Sequence, residues 1–315
     1  MERDQNVVLI GEEVANFGGG AYGAAKGLPA RFPKQIVNTP ISEAGFTGLG
    51  LGAAMSGMRP IVEIMFPDFS LVAADQLFNQ IAKVRHMYGG GTDVPLVART
   101  RVATGFGYGA QHSMDPVGLF GLFSGWRVVA PANAFDYIGL FNTAMTSLDP
   151  VLIIEHGALY GRKSPVPVED RDYCIPFGKA RVVREGAAIT VLAYGCMAGR
   201  LEGLGARLSE AGVDAEMVDL RTVDFAGIDY EAIGRSLGKT GLVAVVEEAP
   251  KSQSIGAGII AETVERFFDM LDGPPGHVTS RDVPPPVSRV LEEAALLSDR
   301  DIVDELTAMV KHRWK

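Results

Sequence analysis

Apolar residues in this chain cluster in short blocks separated by stretches of helical periodicity. Asn6–Ile10 (NVVLI) is rich in β-branched residues and predicts a buried strand. Gln35–Asn38, Pro60–Met65 (PIVEIM), Val94–Arg99, Arg127–Ala130 and Val151–Glu155 (VLIIE) read the same way. Helical spacing follows from near Ser42, over Ser70–Met87 with apolar Leu71, Ala74, Leu77, Ile81 and Val84, and over Ala134–Ser147. Thr100–Ser113 is a loop with three glycines that ends in Gln111-His112. Strands alternating with helices predict a mostly parallel sheet covered on both faces.

From His156 to Gly186 the periodicity stops, and Pro165, Pro167 and Pro176 interrupt a polar stretch. A second alternating set follows. Its strands are Ala188–Tyr194, Ala215–Leu220, Leu242–Glu247 and His277–Ser280. Its helices are Met197–Ala211, Tyr230–Leu237, Gly256–Phe268 opened by Ser254, and Asp299–His312. Val283–Pro286 (VPPP) cannot sit inside a sheet. The expected fold is α/β: two doubly wound, mostly parallel-sheet domains, residues 1–160 and 188–315, joined by a linker over 161–187.

Composition narrows the function. The 315 residues are 47% apolar, enough for a sizeable core, and 21% charged, which argues against long disordered tails. The net charge of −9 and the lack of any long basic run make nucleic acid a poor partner. No apolar run approaches the roughly 18 residues of a membrane span. The opening MERDQNVVLIGEEV lacks the basic and apolar regions of a signal peptide, and Glu2, Arg3 and Asp4 read as the end of a helix. Two cysteines, Cys174 and Cys196, form no CxxC and suggest a reducing, cytoplasmic setting.

Gln35–Pro60 concentrates the candidate chemistry. A strand leads through Thr39-Pro40 into a helix with Ser42 as the expected N-cap and Glu43 in its first turn. That helix carries Gly45, Gly48, Gly50, Gly52 and Gly57, each weakening it by about 1 kcal/mol relative to Ala. Such a cost makes sense where the helix presses on another backbone or on a flat ligand. The plainer role for Glu43 is that of an acid favoured by the helix dipole.

Gly48, Gly50 and Ala53 match the dinucleotide pattern G-x-G-x-x-A, but they fall about ten residues past the strand rather than at the strand–helix turn. No phosphate-cradling G-x-x-x-x-G-K-[ST] loop occurs, and the five histidines show no metal-ligand spacing. His112, ending a glycine-rich loop, is either structural or a proton-transfer group. Phe69, just past a strand, either packs in the core or stacks on a planar ring. Glu12 ends the first strand. These residues and Glu43 converge on one edge of the first domain, where open α/β sheets bind ligands.

GEEVANFGGGAYGAAKGL, NTPISEAGFTGLGLGAAMSGMRPIVEI, the AQHS that closes the loop, DPVLIIEHGALYG and VVEEAP together resemble the β subunit of thiamine-diphosphate-dependent 2-oxo acid dehydrogenases. Pyruvate, branched-chain and acetoin enzymes form that group. The resemblance runs from Arg3 nearly to the end, and TPISE-x-GF followed by AQHS is its most specific part. It implies a transketolase-like pyrimidine-binding domain followed by a transketolase C-terminal domain. By it, Glu43 faces the ring nitrogen of the cofactor pyrimidine. Phe69 stacks on that ring, Glu12 lies near the same pocket, and His112 assists acyl transfer to lipoyllysine.

The resemblance also implies partners. The family's GDG motif for magnesium and diphosphate is absent, so this chain is expected to hold half of the thiamine diphosphate, with an α subunit supplying the rest in an α2β2 assembly. A lipoyl-bearing acyltransferase is the expected acceptor. The EHGALYG stretch leans toward pyruvate or acetoin enzymes. KSQSIGAG after EEAP departs from the commoner RTGGFGAE, and the helix usual ahead of the first strand is largely absent.

Overall fold

The computed structural model describes residues 1–20 and 22–314. In its first half the elements run β1 (Val7–Glu12), α1 (Leu28–Arg31), β2 (Ile36–Thr39), α2 (Glu43–Met55), β3 (Arg59–Ile64), α3 (Val84–Met87), β4 (Val97–Val102), α4 (Val117–Gly121), β5 (Arg127–Val129), α5 (Ala134–Thr146) and β6 (Val151–His156). Its six strands are all parallel, in the order β2-β1-β3-β4-β6-β5. The strand order reverses between β1 and β3, the kind of switch point where the carboxyl ends of strands open a crevice. Alternation puts Val8, Ile10, Val62 and Ile64 against α2, and Val7, Leu9, Val97 and Ile153 against α5.

The second half runs β7 (Arg181–Arg184), β8 (Ile189–Ala193), α6 (Gly195–Glu210), β9 (Ala215–Asp219), α7 (Tyr230–Thr240), β10 (Val243–Pro250), α8 (Gly256–Phe267), β11 (Gly276–Ser280), α9 (Arg289–Ala295) and α10 (Asp299–Lys311). Its sheet order is β11-β10-β8-β9-β7, parallel except for β7. One apolar cluster is shared by both sheets, linking Val62 and Ile154 to Leu192, Val245 and Ile259. The other face of the second sheet packs under α6 and α10.

The structure departs from the sequence expectation in definite places. Ser70–Met87 is not one helix: a 3₁₀ turn over Pro67–Leu71 leads to a π-helical segment, Asp75–Ile81, and then to α3. The Leu77 carbonyl accepts the Ala82 amide five residues on (3.1 Å) and the Trp126 indole N–H (3.1 Å), which holds the wider turn. Ser42 occupies the N-cap position with φ −165°, but its side chain makes no capping bond. Ser254 does not cap α8; Ile255 does, and the Ser254 hydroxyl turns to the Lys251 carbonyl and His277. Arg181–Arg184, inside the expected linker, is a strand because Val182 pairs across to Val218. Glu2–Asp4 are not helical.

The glycines of α2 face different neighbours, and Gly50 is the one turned to the sheet. A Cβ at Gly50 would lie 2.6 Å from Val62 Cγ2 and 3.4 Å from Leu96 Cδ1, so this glycine lets the helix sit close on the sheet. At Gly52 the same atom would meet nothing within 4 Å. Gly48, Gly50 and Ala53 lie inside α2, away from the strand–helix turn at Pro40–Ser42 that a dinucleotide phosphate requires. The fingerprint is a packing pattern.

Candidate active site

Glu12 closes β1 and Glu43 opens α2, so both sit at the carboxyl edge beside the β1/β3 switch point. Their residues are 3% and 5% exposed. Glu12 Oε2 is buried without a hydrogen-bond partner. Burial, and then repulsion from Glu43, Glu13 and Glu63, push the Glu12 carboxyl up to about 7. A buried acid with a free oxygen beside a second buried acid is a site that accepts a donor from outside the chain.

Phe69 and His112 meet directly. The His112 ring stands edge-on to Phe69 (centroids 5.3 Å, 84°) and to Phe66 (4.9 Å, 76°). Phe66 also touches Tyr22 and Tyr108, each at 5.4 Å, which completes an aromatic wall. Asp68 fixes the chain just after His112 by accepting the Met114 amide at 3.2 Å. Burial raises the Asp68 carboxyl, while the Met114 amide and the nearby His112 oppose the rise. The structure thus joins Phe69 to His112, and brings Glu12 within electrostatic reach of Glu43 at the same edge.

The sequence reading missed a buried ion network on the α5 face. Arg99 Nε and Nη2 donate to both oxygens of Glu155 (2.8 and 2.5 Å), and Nη1 donates to Glu63. Tyr137 donates to Glu155 at 2.8 Å, and Tyr160 donates to its other oxygen. Burial works to raise Glu155, but Arg99 outweighs it and holds the carboxyl below its ordinary range. Burial prevails at Glu63, which stays raised. Arg101 lies over the rings of Tyr22 (5.0 Å), Phe106 (5.1 Å) and Tyr160 (5.4 Å). A cavity of about 700 Å³ opens beside these groups, lined by Tyr22, Arg99, Tyr137, Glu155 and Lys163. The available signal was a charge inside each of the apolar strands PIVEIM, VPLVAR and VLIIE, since a buried charge demands a partner.

A second cavity, of about 340 Å³, lies where the His112 loop meets the second half, between Asp68, Ser113 and Asp115 on one side and Glu248 and Arg281 on the other. Among the described residues no group of three or more His, Cys, Asp or Glu could hold a metal ion. Among the same residues no helix is long and apolar enough to cross a membrane. The unpartnered Glu12 oxygen, the buried Glu43 at a helix start and the Phe66–Phe69 wall fit a flat, nitrogen-bearing ring.

Comparison with known proteins agrees with this fold. Residues 1–163 match the family model described as transketolase, pyrimidine binding domain, and residues 178–302 match transketolase, C-terminal domain. The subunit beta of acetoin:2,6-dichlorophenolindophenol oxidoreductase from Bacillus subtilis (strain 168) is 40% identical, covering 96% of this chain and 91% of its own length. The mitochondrial pyruvate dehydrogenase E1 component subunit beta of Mus musculus is 39% identical, covering 96% and 85%. A solved split-gene transketolase, an inactive beta4 tetramer, superposes with a TM-score of 0.76 at 21% identity, covering 99% of this chain and 94% of that one. At that identity the likeness speaks to the fold alone.

Proposed function

We propose, from the premise that this chain belongs to the β subunits of pyruvate- and acetoin-type 2-oxo acid dehydrogenases with transketolase-like domains, that it carries the pyrimidine half of a thiamine diphosphate site. An α subunit supplies the diphosphate and Mg²⁺ half, in an α2β2 assembly. Bound thiamine diphosphate supplies the carbanion and the electron sink for decarboxylating a 2-oxo acid, pyruvate first among the candidates. The acyl group passes to lipoyllysine of a partner acyltransferase. Residues 1–160 form the pyrimidine-binding domain, and the second sheet, β7 included, belongs to the C-terminal domain, so the connecting stretch after residue 160 ends before Arg181. The cytoplasmic setting proposed with this rests on two free thiols.

The observation that carries this reading is the buried pair Glu43 and Glu12, with an unpartnered Glu12 oxygen, at the switch-point edge. Glu43 holds a proton at the pyrimidine ring nitrogen. Its place in the first turn of α2 sets the carboxyl at the carboxyl edge of the sheet, where that nitrogen would lie. Glu12, raised to about 7, keeps a second proton available nearby at neutral pH. Phe69 supports the ring face and excludes water from it. His112, at the mouth of the loop, moves a proton for acyl transfer.

Glu43→Gln, mixed with the α subunit, should lose decarboxylation; near-normal turnover ends the assignment. His112→Ala should lose lipoyl acylation and keep more of the decarboxylation, and equal mild effects on both steps remove its role. A second reading, acetoin cleavage, is favoured by the acetoin relative at 40% identity. Turnover of acetoin against pyruvate by the assembled enzyme decides between them.

A further inference from the structure

We propose that Glu292, contributed by the second domain, is the positioning residue of the His112 loop, so that acyl transfer depends on a carboxylate that touches neither substrate nor cofactor. The inference deepens the reading of His112 given above and rests on it.

Glu292 is 1% exposed and lies on α9. Its two oxygens accept the backbone N–H groups of Gly105 (2.9 Å) and Gly107 (2.8 Å), across 187 and 185 residues of sequence. A carboxylate that accepts two amides from one loop fixes both its place and its orientation. The loop has no regular structure to fix it otherwise. Gly105, Gly107 and Gly109 have φ of +85°, +71° and +82°, conformations that side chains resist. A Cβ at Gly109 would lie 2.8 Å from Val287 Cγ2, and one at Gly107 would lie 3.2 Å from the Val287 carbonyl oxygen. The glycines therefore allow the VPPPVS segment to close over the loop, and Glu292 ties it down.

The tie reaches His112 through bonded steps. Thr104 Oγ1 donates to the Ser113 carbonyl (2.9 Å), Ser113 Oγ donates to the Gly109 carbonyl (2.9 Å), and the His112 amide donates to the same carbonyl (3.2 Å). Between the clamped glycines, Phe106 lies under Arg101; just after them, Tyr108 packs on Phe66, which touches the His112 ring. Behind Glu292, α9 is anchored to β11 by Arg281 N–H to the Ala295 carbonyl (2.9 Å) and Leu297 N–H to Ser280 Oγ (3.0 Å). A rigid sheet in one domain thus sets the place of the imidazole in the other.

The test uses Glu292→Gln in the assembled enzyme, with exposed Glu293→Gln as control. Glutamine keeps the shape but has one acceptor oxygen, so its NH₂ group confronts the other glycine N–H. Amide exchange over residues 103–113 should speed up at least about tenfold, and by more than exchange in the two sheets. Lipoyl acylation should fall by about tenfold to a hundredfold, the scale on which misplacing a positioned group acts. Decarboxylation read with 2,6-dichlorophenolindophenol should stay within about twofold. In a His112→Ala background the substitution should add no further loss.

Unchanged exchange, parallel loss of both activities, or a loss additive with His112→Ala would each overturn the proposal. If Glu292→Gln does not assemble, Glu292→Asp, which draws the carboxylate back by one methylene from the Gly105 and Gly107 amides, is read the same way. Should His112→Ala itself leave acylation intact, the proposed role of His112 falls, while the exchange result still judges the clamp.

Discussion

Replacing Arg99 by Met should destabilise the protein by an amount that grows with pH. Met keeps most of the apolar stem and removes the charge. Two carboxylates are left behind: Glu63, 1% exposed, and Glu155, 5% exposed. Removing one partner of a buried ion pair costs about 3–5 kcal/mol, because the other charge stays desolvated. At about 2–4 °C per kcal/mol for a domain of this size, the midpoint should fall by about 6–20 °C.

The pH dependence follows from which way each acid shifts. With Arg99 present, Glu155 lies below its ordinary value of 4.5 and Glu63 above it. Without Arg99 both move up. An acid whose folded pKa is raised destabilises nothing below its unfolded pKa, and increasingly weakens the fold as pH climbs past it. The deficit should therefore be small near pH 4.5 and widen toward pH 8. Scanning calorimetry of both proteins at pH 5 and pH 8 measures it. A deficit equal at the two pH values, or below about 2 °C at pH 8, refutes the reasoning that Arg99 holds two buried charges.

Glu12→Gln should flatten a different pH slope. The wild-type acid, raised to about 7, leaves stability intact near pH 4.5 and erodes it as pH rises through 7, so denaturation midpoints at pH 5 and 8 should differ less in the variant. An unchanged difference removes Glu12 as the source. Two glycines of α2 should respond with opposite signs. Gly50→Ala meets Val62 at 2.6 Å and should cost about 1–3 kcal/mol despite better helix propensity. Gly52→Ala meets open space in the isolated chain and should add up to about 1 kcal/mol. Chemical denaturation of the two variants checks both, and equal effects would mean that the glycines serve no packing contact.

Much of the architecture was readable without coordinates, because it is written in local periodicity. The runs NVVLI, PIVEIM and VLIIE read as buried strands, while the Pro-interrupted stretch after His156 read as a linker and hid strand β7. Four residues of the candidate site, Glu12, Glu43, Phe69 and His112, stood out because each falls at, just beyond or shortly after a strand end. What periodicity could not show is any arrangement that depends on contact between distant segments. The π-helical turn of Asp75–Ile81 exists because Trp126 and Ala82 both bond the Leu77 carbonyl. Strand β7 exists because β9 offers it an edge. Arg99 reads as one charge in an apolar strand until folding sets Glu63 and Glu155 on either side of it. Glu292 reads as one more surface acid on a short helix, and only the packing of one domain on the other turns it toward two glycine amides 187 and 185 residues away. Pattern along a chain specifies which faces are apolar; which charges meet is decided when those faces close.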